Sequence, residues 1–187
     1  ALLNNLKKLR AIIEAVTAEV SVPVTVKIRS GWHPNKPLAV QVAEIAEASG
    51  AAGITVHARF ATQKFSGKAD WEVIRRVTEA VSIPVVGNGD VCGPRDTEQL
   101  YDQTGCEAVM IGRGAQGKPW IFEQVNSYFR DGILIPEPDP AQRIDVCLHH
   151  YSLAEKYSSE HSFVKNMRKH LGWYLKGLYK SSVVKQR

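Results

Sequence analysis

The chain has 187 residues, 44% hydrophobic and 23% charged, with three cysteines and a formal net charge of +5. Such a chain is long enough for a sizeable core, while no apolar run approaches the roughly 20 residues that span a bilayer and no secretory pattern opens the sequence. Cys92, Cys106 and Cys147 match no zinc spacing and no disulfide framework, so small buried thiols in a cytoplasmic protein are expected.

Charge is placed unevenly. After Glu160 no acid follows, whereas Lys165, Arg168, Lys169, Lys176, Lys180, Lys185 and Arg187 do. A basic end on a near-neutral body points to a polyanionic partner. The sequence opens at Ala1, without methionine and directly in a helical pattern, which is the look of a fragment.

In chain order, residues 2–20 predict a helix, and the phrase VSVPVTVKIRSGW that begins at Val20 predicts a strand. Residues 38–49 follow Pro37 and place Leu38, Val42, Ile45 and Ala46 on one helical face. SGAAGITVH, 49–57, carries the second strand. The loop 58–70, ARFATQKFSGKAD, exceeds the two to six residues usual for such a connection, and loops of that kind are often functional. Residues 71–81 read as a helix capped by Asp70, with Trp71, Ile74, Val77 and Val81 on its inner face.

VSIPVVGNGD, 81–90, then repeats the first phrase, and TGCEAVMIG, 104–112, repeats the second. Between them a helix begins at Pro94 and stops at Gly105. GRGAQGKPWIFEQV supplies a glycine loop and a short helix from Pro119, and residues 140–157 and 161–179 read as two further helices.

Each repeated phrase ends in a short β-branched apolar run, the mark of a buried parallel strand. A doubled βαβα unit fits half of a (β/α)8 barrel or part of an open doubly wound sheet. The barrel is favoured. KIRSGW is not the glycine-rich loop that an open sheet carries after its first strand, and the glycine loop and extra helix after the fourth strand sit where barrels bind phosphate. The expected fold is α/β: the C-terminal half of a TIM barrel over residues 1–135, then a small all-α domain over 136–187, incomplete at its C-terminus.

Alternation along the strands places Thr25, Lys27 and Arg29 on one face, and Thr55, His57 and Arg59 on another. Aligning the phrases puts Lys27, His57, Asn88 and Gly112 at one strand level, near the C-terminal rim where barrel active sites lie. A lysine cation, an imidazole and an amide converge there. Backbone amides of Gly89, Gly112 and Gly114, with Arg113, are placed to hold a phosphate, and Asp90 to fix the loop or bind a ribityl hydroxyl. A flat, anionic, phosphorylated cofactor such as FMN fits that set. No metal site is expected. In the last helix Phe163, Met167, Leu171, Tyr174 and Leu178 form a core stripe, and Lys165, Lys169, Lys176 and Lys180, with Arg168 beside them, form an opposite basic face suited to a phosphate backbone.

VPVTVKIRSGW, ITVHAR, FSGKADW, IPVVGNGD, AVMIGRGAQGKPWIF and MRKHLGWYL occur in this order, and together they resemble the bacterial tRNA-dihydrouridine synthases, most closely the B-type subgroup. That resemblance implies an FMN barrel followed by a helical tRNA-binding domain. It implies an oxidoreductase that takes hydride from NADPH through FMN to C6 of a tRNA uridine while a cysteine protonates C5. On matching positions it implies FMN contacts from Lys27, His57, Asn88, Gly89, Asp90, Gly112 and Arg113, and tRNA contacts from Arg168 and Lys169. Lys165 and Arg59 join the expected RNA contacts. The family's catalytic-cysteine loop precedes a helix that opens like ALL, where this chain begins, so no catalytic residue is assigned. The isolated chain is expected to be inactive, and a full-length parent to be a monomer. Two alternatives stand beside this: an FMN barrel of the dihydroorotate-dehydrogenase type, and a non-catalytic RNA-binding fragment.

Overall fold

A computed structural model describes residues 2–157 and 160–182. Ala1, Lys185 and Arg187, named above, lie outside the described residues. Two compact units divide the chain, Ala1–Gly112 and Arg113–Arg187.

The first unit contains a 3₁₀ turn at Leu2–Asn4 and then alternates helices with strands: α1 (Leu6–Glu19), β1 (Thr25–Arg29), α2 (Ala39–Ala48), β2 (Gly53–His57), α3 (Glu72–Ala80), β3 (Val85–Asn88), α4 (Pro94–Thr104) and β4 (Ala108–Met110). All four strands are parallel and lie in chain order. The mixed α/β fold with a parallel sheet is as the alternation predicted. Helix ends follow local chemistry. Asn5 accepts from the Lys8 amide at 3.0 Å and starts α1. Pro94 sits in the first turn of α4, and Gly105 ends it in the left-handed region at φ 64°. The expected Asp70 cap differs: Trp71 holds the cap position of α3 without a side-chain cap bond, while the Asp70 carbonyl accepts from the Val73 amide.

One face of the sheet is the core. Ile28, Ile54, Val56 and Val85 pack with Val42, Ala46, Ile74, Val77 and Leu100 from the helices, and Ile54, Val42, Val77 and Leu100 are almost wholly buried. At about 25 cal/mol per Å² of apolar surface removed from water, this face drives the sheet together. The opposite face carries Thr25, Lys27 and Arg29 on β1, Thr55 and His57 on β2, Asn88 on β3 and Met110 on β4.

The two copies of the repeat superpose in register. Thr25 pairs with Gly53 as Val86 pairs with Ala108, and Lys27 with Thr55 as Asn88 with Met110. This register corrects the single level expected for Lys27, His57, Asn88 and Gly112. His57 is opposite Asn88, but Arg29 rather than Lys27 is opposite His57, and Met110 rather than Gly112 is opposite Asn88. Each phrase match aligns copies of one strand type, whereas pairing within a sheet is set by neighbouring strands, which are staggered.

In the second unit a 3₁₀ turn, Arg113–Ala115, precedes α5 (Ile121–Asp131), α6 (Pro140–Tyr157) and α7 (Glu160–Tyr174). The segment before α6 is bound within this unit. Gln124 donates to the Ile135 carbonyl at 3.1 Å, Trp120 donates to Glu137 at 2.8 Å, and Lys118 pairs with Glu137 at 2.5 Å. Gly117, at φ 68°, lies against Trp173, and a Cβ there would approach the Trp173 backbone to 2.5 Å. Phe163, Met167 and Tyr174 are buried, as the stripe in this helix predicted. Cys106 and Cys147 are buried thiols, but Cys92 is exposed. Among the described residues no helix is long and apolar enough to cross a membrane, and no cluster of three or more His, Cys, Asp or Glu side chains is placed to hold a metal ion.

Candidate functional site

The site grows from the C-terminal ends of the strands. Lys27 leaves β1 on the open face, and its ammonium donates to Asn88 Oδ1 at 3.0 Å, reaching past β2. Asn88 is fixed at both ends of its amide, because Nδ2 donates to the Met110 carbonyl at 2.7 Å. His57 lies beside Asn88 in the adjoining strand. A Cβ on Gly89 would stand 3.7 Å from His57 Cδ2, and one on Gly112 would stand 4.0 Å from Asn88 Nδ2. Lys27, His57, Asn88, Gly89 and Gly112 are therefore brought to one rim. Arg113 opens the second unit, where it is exposed.

Burial, and secondly the nearby Arg29 guanidinium, push the Lys27 pKa below the usual lysine value. Lys27 and Arg29 are two cations side by side, so an anion bound here would relieve their repulsion. A carboxylate, phosphate or reduced aromatic ring system would each do so.

Loop 58–70 is built onto this rim by two residues at equivalent places in the repeat, Arg29 and Asp90. Arg29 donates to the carbonyls of Phe60 and Lys64, both at 3.0 Å, and its guanidinium lies 5.7 Å from the Phe65 ring centre. Asp90 accepts from the Ala69 amide at 2.7 Å and pairs with Arg59 at 2.7 Å. Arg59 also donates to the Gly67 carbonyl at 2.7 Å. Trp71 donates to the Gly89 carbonyl at 2.9 Å. Phe65 is 55% exposed and its ring centre is 6.4 Å from that of His57. The loop thus presents an aromatic ring beside the imidazole. Alternation alone assigned no role to Arg29 or Phe65; the long loop with its two phenylalanines was the only signal.

Arg59 was expected on the His57 face, with an RNA contact. Strand β2 ends at His57, and the Arg59 amide turns back to the His57 carbonyl at 2.7 Å, so the alternation stops before Arg59. Its side chain is 2% exposed and engaged by Asp90 and loop carbonyls. Lys165, Arg168 and Lys169 are exposed on α7, opposite the buried Phe163 and Met167.

Residues 1–187 match the family model described as Dihydrouridine synthase (Dus). The chain belongs to the dihydrouridine synthase family. The likeness expected from the motifs, B-type subgroup included, is borne out by its relatives. It is 41% identical over 175 residues to the tRNA-dihydrouridine synthase B of Shewanella oneidensis, covering 94% of this chain and 54% of that protein. It is 42% identical over 171 residues to a probable tRNA-dihydrouridine synthase of Rickettsia bellii, covering 91% and 52%. With the tRNA-dihydrouridine synthase B of Pseudomonas aeruginosa the identity is 39%, covering 94% and 53%. The chain therefore spans about half the length of the curated relatives it matches. Among solved structures, a 2,3-dimethylmalate lyase aligns over 83% of this chain and 76% of its own at 16% identity, with a TM-score of 0.37.

Proposed function

We propose that this chain is the second half of an FMN-binding (β/α)8 barrel, residues 1–135, joined to a tRNA-binding helical segment, residues 136–187, of an NADPH-dependent tRNA-dihydrouridine synthase. The observation that carries the cofactor reading is the Lys27 to Asn88 hydrogen bond at 3.0 Å, with His57 beside it and Arg29 adding a second positive charge. The donor set fits FMN. Lys27 and Asn88 would hold the polar edge of the ring, His57 would hydrogen-bond the ring or its phosphate, and the backbone amides of Gly89 and Gly112 would donate to it. Asp90 and Arg113 complete the proposed contacts, Asp90 chiefly by fixing the loop through Arg59.

Bound FMN would supply the hydride relay from NADPH to a tRNA uridine. This chain's own residues do the rest of its share. The cation pair favours negative charge on the bound ring system, and loop 58–70 with Phe65 covers the mouth beside His57 against water. Lys165, Arg168 and Lys169 would neutralise tRNA phosphates, which makes the affinity fall with salt. Arg59 enters the RNA role through the loop it holds. No cysteine of this chain is assigned the proton to C5, and the isolated chain is expected to form no dihydrouridine.

Titration of the chain with FMN, followed by flavin fluorescence, and with unmodified tRNA at two salt concentrations tests this. Saturable flavin binding weakened by Lys27→Met, and salt-dependent tRNA binding weakened by the paired change Arg168→Ala and Lys169→Ala, are expected. A chain that binds tRNA but leaves flavin fluorescence untouched would remove the cofactor half of the proposal. Dihydrouridine formed by this chain with FMN, NADPH and tRNA would overturn its inactivity.

A further inference from the structure

The first copy of the repeat carries longer connections at the rim than the second. β1 is followed by residues 30–38 before α2, whereas its equivalent, β3, reaches α4 through 89–93 alone. β2 is followed by 58–71 before α3. The scaffold can therefore turn with less chain than the first copy uses. The longer loops carry Lys36, Lys64 and Lys68, and no acid stands between Val20 and Ala43 or between Ala48 and Ala69. The turn after β3 carries Asp90 instead, with Asp96 in the first turn of α4.

We propose that the loops after β1 and β2 form one cationic platform, which holds RNA phosphates on either side of the nucleotide that enters the mouth. This rests on the tRNA-dihydrouridine synthase reading above and deepens it, because it gives the first unit an RNA surface of its own.

The two loops are tied into one piece. Ala61 donates to the Gly31 carbonyl at 3.0 Å, and the amide and hydroxyl of Thr62 both donate to the Trp32 carbonyl at 3.1 Å. Loop 58–70 is anchored within the sheet, by Arg29 at the end of β1 and by Asp90 after β3. Each lysine stands on fixed backbone. The Lys36 amide donates to the His33 carbonyl at 2.9 Å. Lys64 donates to the Ala61 carbonyl at 3.2 Å and accepts from Arg29 at 3.0 Å, which holds it at φ 53°. The Lys68 carbonyl accepts from Gln63 Nε2 at 3.1 Å. A surface ordered before binding loses less freedom when a ligand arrives, so more of its charge is expressed as affinity.

The chemistry favours an RNA strand. Arg29 and Arg59 turn their guanidinium groups inward, to loop carbonyls and Asp90, which leaves the lysines for a ligand. A lysine is a point charge without the planar fork of arginine, and it suits backbone phosphates, which position a strand and carry no sequence information. Three lysines on two loops offer separate points for a run of phosphates. An enzyme that acts on a base must draw that base out of its stack. Cations beside the mouth would then hold the two stretches of backbone that the extruded nucleotide parts.

The test is tRNA binding by the 187-residue chain, followed by fluorescence anisotropy over a range of salt. The variant combines Lys36→Gln, Lys64→Asn and Lys68→Gln, asparagine being chosen because it tolerates the positive φ at 64. Affinity at low salt should fall about tenfold or more, and the plot of log K against log salt should become shallower by about two, the share of three phosphate contacts to a single strand. FMN affinity and the unfolding midpoint should stay as they are. Alkylating the tRNA phosphates before binding should show interference on both sides of one uridine, and the triple variant should lose that signal. An unchanged affinity and salt slope in the triple variant overturns the platform, as does interference confined to paired stems. Weakened NADPH binding with tRNA binding intact would give the lysines to a dinucleotide and overturns it as well. The paired change Arg168→Ala and Lys169→Ala separates this from the reading beneath it. If that pair weakens tRNA and the triple variant does not, only the platform fails, whereas a chain that binds no tRNA at all removes both.

Discussion

The first and second halves of the repeat share a backbone and differ in what they carry on it. β1 with β2 and β3 with β4 pair in the same register, residue for residue. Yet Lys27 stands where the other copy has Asn88, Arg29 where it has Asp90, and His57 where it has Gly112. The substitutions are complementary. Lys27 bonds its own equivalent, Asn88, and Arg29 and Asp90 grip opposite ends of the same loop with opposite chemistry. A duplicated scaffold therefore makes one asymmetric site, because the copies diverge at the rim and stay alike in their pairing.

The largest effect should come from breaking the Asp90 end of that grip. Arg59 is 2% exposed, so Asp90→Ala strands a buried guanidinium, and loss of one partner from such a pair costs about 3 kcal/mol. Denaturant unfolding measures it, and Arg59→Met combined with Asp90→Ala should recover part of the loss, since the stranded charge is then gone. Next is Gly87, whose equivalent in β1 is Val26. A Cβ on Gly87 would stand 2.5 Å from Leu100 Cδ2 and 3.0 Å from Cys106 Sγ. Gly87→Val should therefore cost about 2 kcal/mol or more by overpacking, although valine is the native residue one copy away. Adding Leu100→Ala should restore part of it, showing that bulk moved from strand to helix between the copies.

Much of this comparison was legible in the sequence, because β-branched runs and phrase repeats fix strand identity, and the apolar helix faces at Val42 and Ile74 announce which side is core. The Lys27, His57 and Asn88 grouping was legible for the same reason. Stagger was not, since a phrase match says which strands are alike and is silent on how neighbours slide. Nor was the end of β2. Arg59 continues the alternation on paper, and only the turn of its amide onto the His57 carbonyl breaks it. Backbone bonds from Arg29 to loop carbonyls leave no trace in residue type, so its role appears only in the fold.

Lys27→Met should come third, weakening FMN about tenfold, or about 1.4 kcal/mol, with little change in stability, since Lys27 lies on the face of the sheet away from the apolar core. In the unaltered chain the ammonium must be present to hold an anion, and its pKa lies below the ordinary lysine value through burial and through Arg29. Flavin affinity should thus begin to fall with rising pH earlier than an unperturbed lysine would allow, and the Lys27→Met variant should lose this part of the pH dependence.

Arg29→Gln should give a modest change in stability and the sharpest test of how the copies are coupled. Two hydrogen bonds to the Phe60 and Lys64 carbonyls are lost at a half-buried site, at a cost of about 1 kcal/mol. The same substitution removes one of the two causes that depress Lys27, and it removes it in a known direction. With the neighbouring positive charge gone, the ammonium is easier to keep, so the Lys27 pKa moves back up. The alkaline fall in flavin affinity should then shift to higher pH, even as loop 58–70 loosens and overall affinity drops. A lowered affinity with an unshifted pH profile would mean that Arg29 acts only as a strap on the loop, and that burial alone sets the charge state of Lys27.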